Sequence, residues 1–321
     1  MPKPVLMVGL GEVLWDLLPT GKVLGGAPAN FAYMANVLGD QGIVASRVGN
    51  DDLGRQACEA IRKLGLSASY VQHDHQHETG SATVCIDGSG QPTFTIRESV
   101  AWDFLEWTSA WQELAARADV VCFGSLAQRS PISAETIECF LRSTSRNALR
   151  ICDVNLRQSF YSEDVLRKSF QYADIVKVNE QELPVVSSLL ELGAGSEVIL
   201  GKQLLMECDL RLVCITRSAR GSVLVSREKA VEHPGFQVKV ADAVGAGDAF
   251  TACLANNYVR GRSLEEISES ANRFASWVAT QTGATPPIHA DQLRNILDGA
   301  ALHRKYTGLC QSTPTEKEKS L

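Results

Sequence analysis

Continuous apolar runs recur along the chain and alternate with segments whose apolar residues are spaced as in helices. The apolar runs, which predict buried strands, are VLMVGL, IVASRVG, VVCFGS, LRICDV, IVKVNE and LRLVCIT. The helical segments between them cover residues 30–39, 54–65, 134–143, 163–173 and 201–208. Strands that are apolar on both faces and alternate with helices are typical of a parallel sheet covered by helices. We therefore predict an α/β fold, a three-layer α/β/α sandwich with a mostly parallel central sheet.

Residues 80–97 depart from this pattern. There the sequence GSATVCIDGSGQPTFTIR alternates apolar and polar residues around DGSG, which predicts a β-hairpin with one solvated face. A hairpin inside an α/β chain indicates a flap or a small β lid. The polar segment 305–321 predicts a disordered tail.

Composition excludes several classes of function. The 321 residues carry a net charge of −6, whereas nucleic-acid binding proteins usually present a basic stripe. No run of 18 apolar residues is present, so we predict no membrane span, and the first apolar run predicts a strand rather than a signal peptide. The nine cysteines form no CxxC pair, and most lie in apolar runs, which is typical of buried thiols in a cytoplasmic protein.

Polar and charged residues follow the predicted strands at the point where each strand ends. They are Gly11, Glu12, Asp16, Asn155, Arg157, Asn179, Glu180, Glu182 and Arg217. Ligands of open parallel sheets bind at the carboxyl ends of the strands, where such residues meet. The sequence therefore predicts a binding site at this edge of the sheet.

The segment ADAVGAGDAF, residues 241–250, predicts a corner between the alternating strand-like run FQVKV and an apolar helix. Glycines at 245 and 247 allow a tight turn and leave backbone N–H groups exposed at the helix N-terminus. These groups lie at the positive end of the helix dipole, so we expect them to bind an anion such as phosphate. Asp248 would either cap the helix or accept the proton of an attacking hydroxyl. Asp242 would be a turn residue or help to hold a cation.

The same segment resembles the C-terminal signature of the ribokinase-like (PfkB) carbohydrate kinases, usually DTVGAGDAF. A second segment, GGAPANFAYMANVLG at 25–39, is similar to the N-terminal motif of that family. Together with GEVLWDLLP at 11–19, its GGAPAN form is most similar to bacterial fructokinases. Weaker resemblances to family motifs, in chain order, are DVNLR to DPNLR, NEQE to NxxE, TRSARGS to TxGxxG, and TGATPP to the closing GA–P segment. The resemblance covers about residues 5–290. It departs from the family at Ala243, where threonine is usual, and at Ser218, where glycine is usual.

The resemblance implies an ATP-dependent sugar kinase that uses Mg²⁺. It implies a single ribokinase-like domain over residues 1–304, with a β lid at about 12–24 and 80–100. Fructose is the leading acceptor and fructose 6-phosphate the product. Tagatose, ribose, 2-keto-3-deoxygluconate or a nucleoside stay open as acceptors, and so does a catalytically silent member that acts as a binding protein. A monovalent cation, K⁺, near Asp242 and a homodimer paired through lid strands are further expectations.

The resemblance also implies roles for individual residues. Those assigned to catalysis are the base Asp248, the anion hole Gly245, Ala246 and Gly247, and the phosphate contact Arg157. Those assigned to the sugar are Asp16, Gly25, Gly26 and Asn30, with Arg97 reaching it from the lid. Those assigned to the metal are Asn179, Glu182 and Asp242. Those assigned to the nucleotide are Asn179, Thr216, Gly221, Gly245 and Gly247, with the adenine against residues 276–285.

Simpler interpretations exist for some of these residues. Asn30 by itself could cap a helix, and Arg157 could form a surface ion pair. Residues His73, His75 and His77 would share one face of an extended strand. They therefore predict either a metal site or, as the better hypothesis, a solvated strand end.

Overall fold

The computed structural model describes residues 3–19, 21–86 and 92–299. Its strands are β1 (Leu6–Leu10), β2 (Leu14–Leu18), β3 (Gly21–Gly25), β4 (Gln41–Gly49), β5 (Val71–Asp74), β6 (Gly80–Ile86), β7 (Pro92–Ile96), β8 (Val120–Phe123), β9 (Leu149–Asp153), β10 (Ile175–Asn179), β11 (Leu212–Thr216), β12 (Ser222–Val225) and β13 (Ala230–His233). Its α-helices are α1 (Ala27–Val37), α2 (Asp52–Lys63), α3 (Ser109–Arg117), α4 (Pro131–Arg142), α5 (Glu163–Tyr172), α6 (Glu182–Leu189), α7 (Glu197–Glu207), α8 (Ala246–Tyr258), α9 (Leu264–Ala279) and α10 (Ala290–Leu297). Short 3₁₀ helices cover Ala101–Phe104, Leu126–Arg129 and Ser218–Arg220.

The main sheet has nine strands in the described part of the chain, in the order β13-β12-β11-β10-β9-β8-β1-β4-β5. All neighbouring pairs are parallel except β11 with β12 and β12 with β13. Each of the six strands predicted from apolar runs is present, within two residues at either end. The predicted α/β fold with a mostly parallel sheet is confirmed.

Helices cover the main sheet in two sets. Helices α1, α8 and α9 pack against one another and against strands that include β1, β4 and β12. Helices α3 to α7 form a second set that packs against β9, β10 and β11. The inner strands of the sheet are almost entirely buried, and β1 has no exposed residue, whereas the edge strand β13 is partly exposed. Full burial of one large apolar side chain contributes about 1.5–3 kcal/mol to the free energy of folding. The apolar residues between the sheet and its two helical layers therefore form the core.

A second, smaller sheet has the order β3-β2-β6-β7. Strand β2 pairs antiparallel with β3 and parallel with β6, and β6 pairs antiparallel with β7. The predicted hairpin over residues 80–97 is therefore present, and residues 12–24 contribute its neighbouring strands. The turn at 87–91 lies outside the described residues, and the role of this small sheet as a lid stays a prediction.

The prediction of a strand at FQVKV, residues 236–240, was wrong. The chain leaves the edge strand β13 at Pro234, which has no N–H group with which to continue a ladder. Gly235 then adopts a φ of 81°, which turns the chain away, and residues 236–240 join neither sheet. The alternation of apolar and polar residues is real, but no strand in the described part of the chain pairs with residues 236–240. The glycine corner at 245–247 therefore connects an irregular segment, rather than a strand, to α8.

Contacts divide the described residues into two units, one that ends at residue 286 and one that begins at residue 287. The first contains both sheets and helices α1 to α9, and α10 belongs to the second. The predicted domain end at 304 and the predicted tail over 305–321 lie outside the described residues. No helix in the described part of the chain is long and apolar enough to span a membrane.

The three histidines do not share an extended face. Only His73 lies in β5, and the chain bends after Asp74. The ring of His77 stacks on Phe104 and is hydrogen-bonded to Asp74, whereas His75 contacts a different residue, Asn50. Among the described residues, no group of three metal-binding side chains is present.

Candidate active site

Asp248 lies in the first turn of α8, directly after the glycine corner. Its carboxylate accepts a hydrogen bond of 2.8 Å from the side-chain amide of Asn30, in α1. Burial, together with the nearby negative charge of Asp153, raises the pKa of Asp248 to about 6. The bond from Asn30 and the positive charges of Lys177 and Arg157 oppose this rise. A carboxylate with a pKa near neutrality can accept a proton at physiological pH.

The start of α8 requires glycine at residue 245. Gly245 caps the helix with a φ of 79°, and a Cβ atom there would lie 2.5 Å from the carbonyl oxygen of Ala284. Gly247 lies inside the first turn, where a Cβ atom would be 3.5 Å from the ammonium nitrogen of Lys177. The N–H group of Ala246 donates to the carbonyl oxygen of Ala243 at 3.3 Å. The N–H groups of the first turn of α8 have no acceptors inside the helix and lie at the positive end of the helix dipole. This corner can stabilise an anion.

A buried ion pair lies behind this corner. Register places Lys177 of β10 directly opposite Asp153 of β9, and its ammonium group donates to both carboxylate oxygens at 2.8 Å. The hydroxyl group of Thr251, in α8, also donates to Asp153 at 2.8 Å. Burial by itself lowers the pKa of Lys177, but the adjacent negative charges of Asp153 and Glu182 outweigh burial and raise this pKa above its usual value. The network ties the first turns of α8 to two central strands of the sheet.

Glu12 is a second buried carboxyl group at this edge. It follows β1 and is 4% exposed, and one of its oxygens accepts a bond of 3.3 Å from the backbone N–H of Ala27. Burial raises its pKa to about 7, and the charge of Asp248 contributes to this rise. Glu12, Asp153, Thr251 and Asp248 line one narrow cleft at the carboxyl ends of the strands, together with Ala27, Pro28, Phe31, Cys122, Phe123 and Gly124.

The residues assigned to the sugar by resemblance lie at the entrance to α1. Burial raises the pKa of Asp16, in β2, and a Cβ atom at Gly25 would lie 2.6 Å from its carboxylate. Gly26 precedes α1 with a φ of 117°, and a Cβ atom there would lie 2.5 Å from the carbonyl oxygen of Glu12. The absence of a side chain at Gly25 lets the carboxylate of Asp16 lie close to the backbone, and its absence at Gly26 lets the carbonyl oxygen of Glu12 do the same.

Arg97 follows β7 at the end of the small sheet. Its exposed side chain forms an ion pair with Glu78, so the described contacts do not bring it to Asp16 or Asn30. Arg157 is exposed on the loop after β9, and its guanidinium group donates to the carbonyl oxygen of Leu156. Its positive charge lowers the pKa values of Glu12, Asp16 and Asp248, which places it within electrostatic reach of all three.

The side chains of the residues assigned to the metal accept hydrogen bonds from backbone N–H groups. Glu182 accepts 2.9 Å bonds from the backbone N–H groups of Leu156 and Asn179, and burial raises its pKa. The side-chain oxygen of Asn179 accepts from two backbone N–H groups at the start of α6. Asp242 accepts from the backbone N–H groups of Val244 and Gly283. Glu182 connects the loop that carries Arg157 to the end of β10, whereas Asp242 stabilises the corner before α8.

The residues assigned to the nucleotide lie at the adjacent strand end. Thr216 ends β11 directly opposite Asn179 in the register of β10 and β11. Gly221 has a φ of 80°, and a Cβ atom there would lie 2.0 Å from a backbone oxygen of His233. Ser218, at the position where the related motif carries glycine, adopts a φ of 51°. This left-handed conformation is the physical reason for glycine at that position.

The structure brings Asp248 and Asn30, within electrostatic reach of Arg157, together with residues to which the sequence analysis gave no individual role, although it placed Glu12 at this edge of the sheet. These are Glu12, Asp153, Lys177 and Thr251. Lys177 carried a signal, because a charged residue inside an apolar strand requires a buried partner. Asp153, which opens DVNLR at the end of the neighbouring strand, is that partner. A larger surface cavity of about 460 Å³, lined by residues such as Arg211, Tyr258 and Leu264, contains none of the predicted site residues.

Comparisons with known proteins agree on one family. The family model described as "pfkB family carbohydrate kinase" matches residues 19–291 of this chain. A sugar kinase of Pyrococcus horikoshii is 28% identical over 307 residues, which cover 90% of this chain and 94% of that protein. A fructokinase of Escherichia coli is 28% identical over 302 residues, which cover 88% and 96%.

Solved structures of sugar kinases share the fold of this chain. The Pyrococcus horikoshii sugar kinase in complex with ATP has a TM-score of 0.74 at 26% identity and covers 91% of this chain and 99% of its own. A fructokinase from Xylella fastidiosa with bound ATP has a TM-score of 0.79 at 21% identity and covers 94% and 100%.

Proposed function

Because the chain belongs to the pfkB family of carbohydrate kinases, and is thus a sugar kinase, we propose that its acceptor is fructose. In this proposal the γ-phosphoryl group of ATP passes to a hydroxyl group of fructose, and the product is fructose 6-phosphate. Fructokinases of plants and bacteria, at 25–28% identity, support this choice of acceptor.

The observation that carries the proposal is the position of Asp248. Its carboxylate has a raised pKa and lies in the first turn of α8, whose N–H groups have no acceptors inside the helix. A hydroxyl group becomes a good nucleophile as its proton is removed, and the phosphoryl group carries negative charge that oriented N–H groups stabilise. Asp248 accepts the proton, and residues 245–247 hold the phosphoryl group.

Neighbouring residues position these two groups. Asn30 holds the carboxylate of Asp248 through its amide, and its own position at α1 brings it to the sugar side of the cleft. Asp16, with Gly25 and Gly26, would hold sugar hydroxyl groups, since a carboxylate accepts from paired hydroxyls and glycine permits close approach. Arg97 would reach the sugar only after release from Glu78, which makes it the least supported of the sugar contacts.

ATP as the donor is supported by the ATP complex of the Pyrococcus horikoshii sugar kinase. Thr216 and Gly221 would contact the nucleotide, with the adenine against residues 276–285. Arg157 would meet its phosphates, because its charge already acts on the groups around Asp248.

The donor set fits a metal ion bound largely through water. The carboxylate oxygens of Glu182 already accept backbone hydrogen bonds, and no group of three metal-binding side chains is present among the described residues. Mg²⁺ usually keeps several waters and binds one or two carboxylates together with substrate phosphates. Asn179 and Glu182 would hold it in this way, and the ion would neutralise phosphate charge. Asp242 would act beside a K⁺ site, since a Vibrio cholerae fructokinase structure contains fructose, ADP and potassium.

Further proposals concern the small sheet and the assembly. We propose that the sheet formed by β2, β3, β6 and β7 is a lid that excludes water, which would otherwise compete for the phosphoryl group. We propose that the chain is a cytoplasmic homodimer paired through this sheet, and the 46% exposure of Val23 in β3 supports an apolar contact there. Light scattering of the purified protein measures the assembly directly.

The test of the acceptor is a coupled assay of ADP release from MgATP against a panel of acceptors. The panel contains fructose, tagatose, ribose, 2-keto-3-deoxygluconate and adenosine. Turnover with fructose and loss of that turnover in Asp248→Asn support the proposal. Turnover with another acceptor keeps the sugar kinase and replaces fructose. No turnover with any, while thermal shift still reports sugar binding, indicates a catalytically silent binding protein.

A further inference from the structure

Arg129 is enclosed at the carboxyl edge of the sheet, beside the site but outside the set of residues assigned so far. It ends the 3₁₀ helix that follows β8, and its side chain is 6% exposed. Its guanidinium group lies 3.9 Å from the ring centre of Trp102 and 4.5 Å from that of Phe160. Two nitrogens of the same group donate to the two carboxylate oxygens of Asp103, each at 2.8 Å. A planar guanidinium group is needed for this combination of stacking and paired bonds.

One of these nitrogens also connects Arg129 to the small sheet. It donates a bond of 2.6 Å to the backbone carbonyl of Arg97. Arg97 is the residue that follows β7, and its N–H donates to Ser81 of β6. Any movement of the small sheet at this end therefore acts on the guanidinium group of Arg129.

Arg129 also contacts the loop that carries Arg157. Phe160, whose ring covers the guanidinium group, donates its backbone N–H to the carbonyl oxygen of Arg157 at 3.0 Å. The charge of Arg157 acts on the base, Asp248, and on Asp16. Phe160 thus connects Arg129 to the loop whose charge acts on the base.

We propose that Arg129 is a positioning residue that couples the small sheet to the Arg157 loop during phosphoryl transfer. It touches neither Asp248 nor Asn30, so it acts through Arg157 on one side and through Arg97 on the other. The proposal rests on the proposed function, because the loop is given a role in meeting the phosphates. Its structural part, the coupling of the two segments, is independent of the substrate.

The first experiment measures hydrogen exchange in the ligand-free protein and needs no activity. Arg129→Lys keeps the charge but loses the planar stack and the paired bonds. Exchange should rise in residues 155–161 and in 95–99. The matched control is Arg150→Lys, because Arg150 forms a comparable two-point pair with Asp174 at the opposite edge of the sheet. Unchanged exchange in 155–161 overturns the proposal, as does the same rise in the control.

The second experiment separates positioning from stability. With the acceptor found in the panel, Arg129→Lys should lower kcat by roughly 10- to 100-fold, the range for misplaced reacting groups, at a temperature where thermal unfolding shows it folded. In an Arg157→Ala background the same substitution should change kcat less than about 2-fold, since its route to the base is gone. If the kcat effects of Arg129→Lys and Arg157→Ala multiply in the double variant, Arg129 has a purely structural role. The same conclusion follows if Arg129→Lys lowers Tm and leaves kcat unchanged.

A third variant covers the case in which Arg129→Lys does not fold. Phe160→Leu removes the ring on the loop side and leaves the pair with Asp103 in place. It should raise exchange in 155–161 and lower kcat, with 95–99 unchanged; no change in either property contradicts the proposal. If the wild-type protein turns over no acceptor, the proposed function fails, and the exchange measurements still decide the coupling.

Discussion

The side chains of Asn30 and Asp248 meet at 2.8 Å although 218 residues separate them along the chain. Asn30 belongs to the first turns of α1, and Asp248 belongs to the first turn of α8. The two helices pack against each other, so both N-termini open onto the same edge of the sheet. This contact joins the two strongest sequence motifs into one site, and it gives the proposed base a fixed orientation.

Replacement of Asp248 by asparagine should abolish the proposed proton acceptor while it preserves size and packing. We expect kcat for the acceptor that the wild-type protein phosphorylates to fall by roughly 10²–10⁴-fold, the usual contribution of a general base. Thermal unfolding should show a folded protein. The control is Asp164→Asn, an exposed carboxylate on α5 that pairs with Lys168. Turnover within a factor of two of wild type in Asp248→Asn would remove Asp248 from the mechanism.

The pH profile of kcat/KM should report the ionisation of Asp248. Burial raises its pKa to about 6, and the base acts only when ionised, so activity should be present above this pH and fall as pH drops through it. The hydrogen bond from Asn30 lowers this pKa, and its loss in Asn30→Ala should move the inflection to higher pH. Assays between pH 4.5 and 8.5 would measure both curves.

The chain offers a matched control for that shift. Asn256 lies in α8, the helix that carries Asp248, and its side-chain amide donates a hydrogen bond of 2.7 Å to the carboxylate of Asp40. Asn256→Ala removes a bond of similar geometry far along α8 and should leave the inflection unchanged. An inflection that moves equally in both variants, or in neither, would contradict the assignment to Asp248.

Glu12 should make the protein less stable as pH rises. Its pKa is raised from 4.5 to about 7 in the folded protein, so the folded state binds the proton more tightly than the unfolded state. The contribution of Glu12 to stability is then fully present below about pH 4.5 and declines until about pH 7. Over that interval the loss is on the order of 3 kcal/mol. Glu12→Gln cannot ionise and keeps an oxygen for the N–H of Ala27, so it should avoid this loss.

Urea unfolding at pH 5, 6, 7 and 8 measures the effect. The free energy of unfolding of Glu12→Gln, minus that of wild type, should increase with pH up to about 7 and then level off. The control Glu59→Gln, on the exposed side of α2, should give a difference that stays flat. A flat difference for Glu12→Gln as well would show that Glu12 is not the cause.

The two glycines of the corner before α8 should respond differently to alanine. Gly245 has a φ of 79° and no room for a Cβ atom beside Ala284, so Gly245→Ala should cost at least about 1–2 kcal/mol of unfolding free energy. Gly247 is helical, and its added Cβ atom would meet Lys177 at an ordinary contact distance. Gly247→Ala should leave that free energy unchanged or raise it by up to about 1 kcal/mol. Equal losses in the two variants, measured by urea unfolding, would contradict the structure of the corner.

Much of the fold was predictable because burial of a parallel strand on both faces leaves a local signature. Runs such as VVCFGS and LRLVCIT have no polar face, and each became a strand within two residues of its predicted ends. The run FQVKV had the right alternation and still failed, because strand formation requires a partner. Pro234 and Gly235 removed the chain from the edge of the sheet before any pairing could continue.

The sequence by itself determined six buried strands with helices between them, the glycine corner and the identity of Asp248 as the residue beside it. These follow from local properties: burial, backbone conformation and the unpaired N–H groups of a helix end. Tertiary structure decided which groups surround that residue. The pairing of Lys177 with Asp153 depends on strand register, and the burial that raises the pKa values of Glu12 and Asp248 depends on packed layers. Arg129 reaches both Arg97 and Phe160 only because two distant loops converge. Electrostatic and packing energies depend on distance in space, which the order of residues along the chain does not specify.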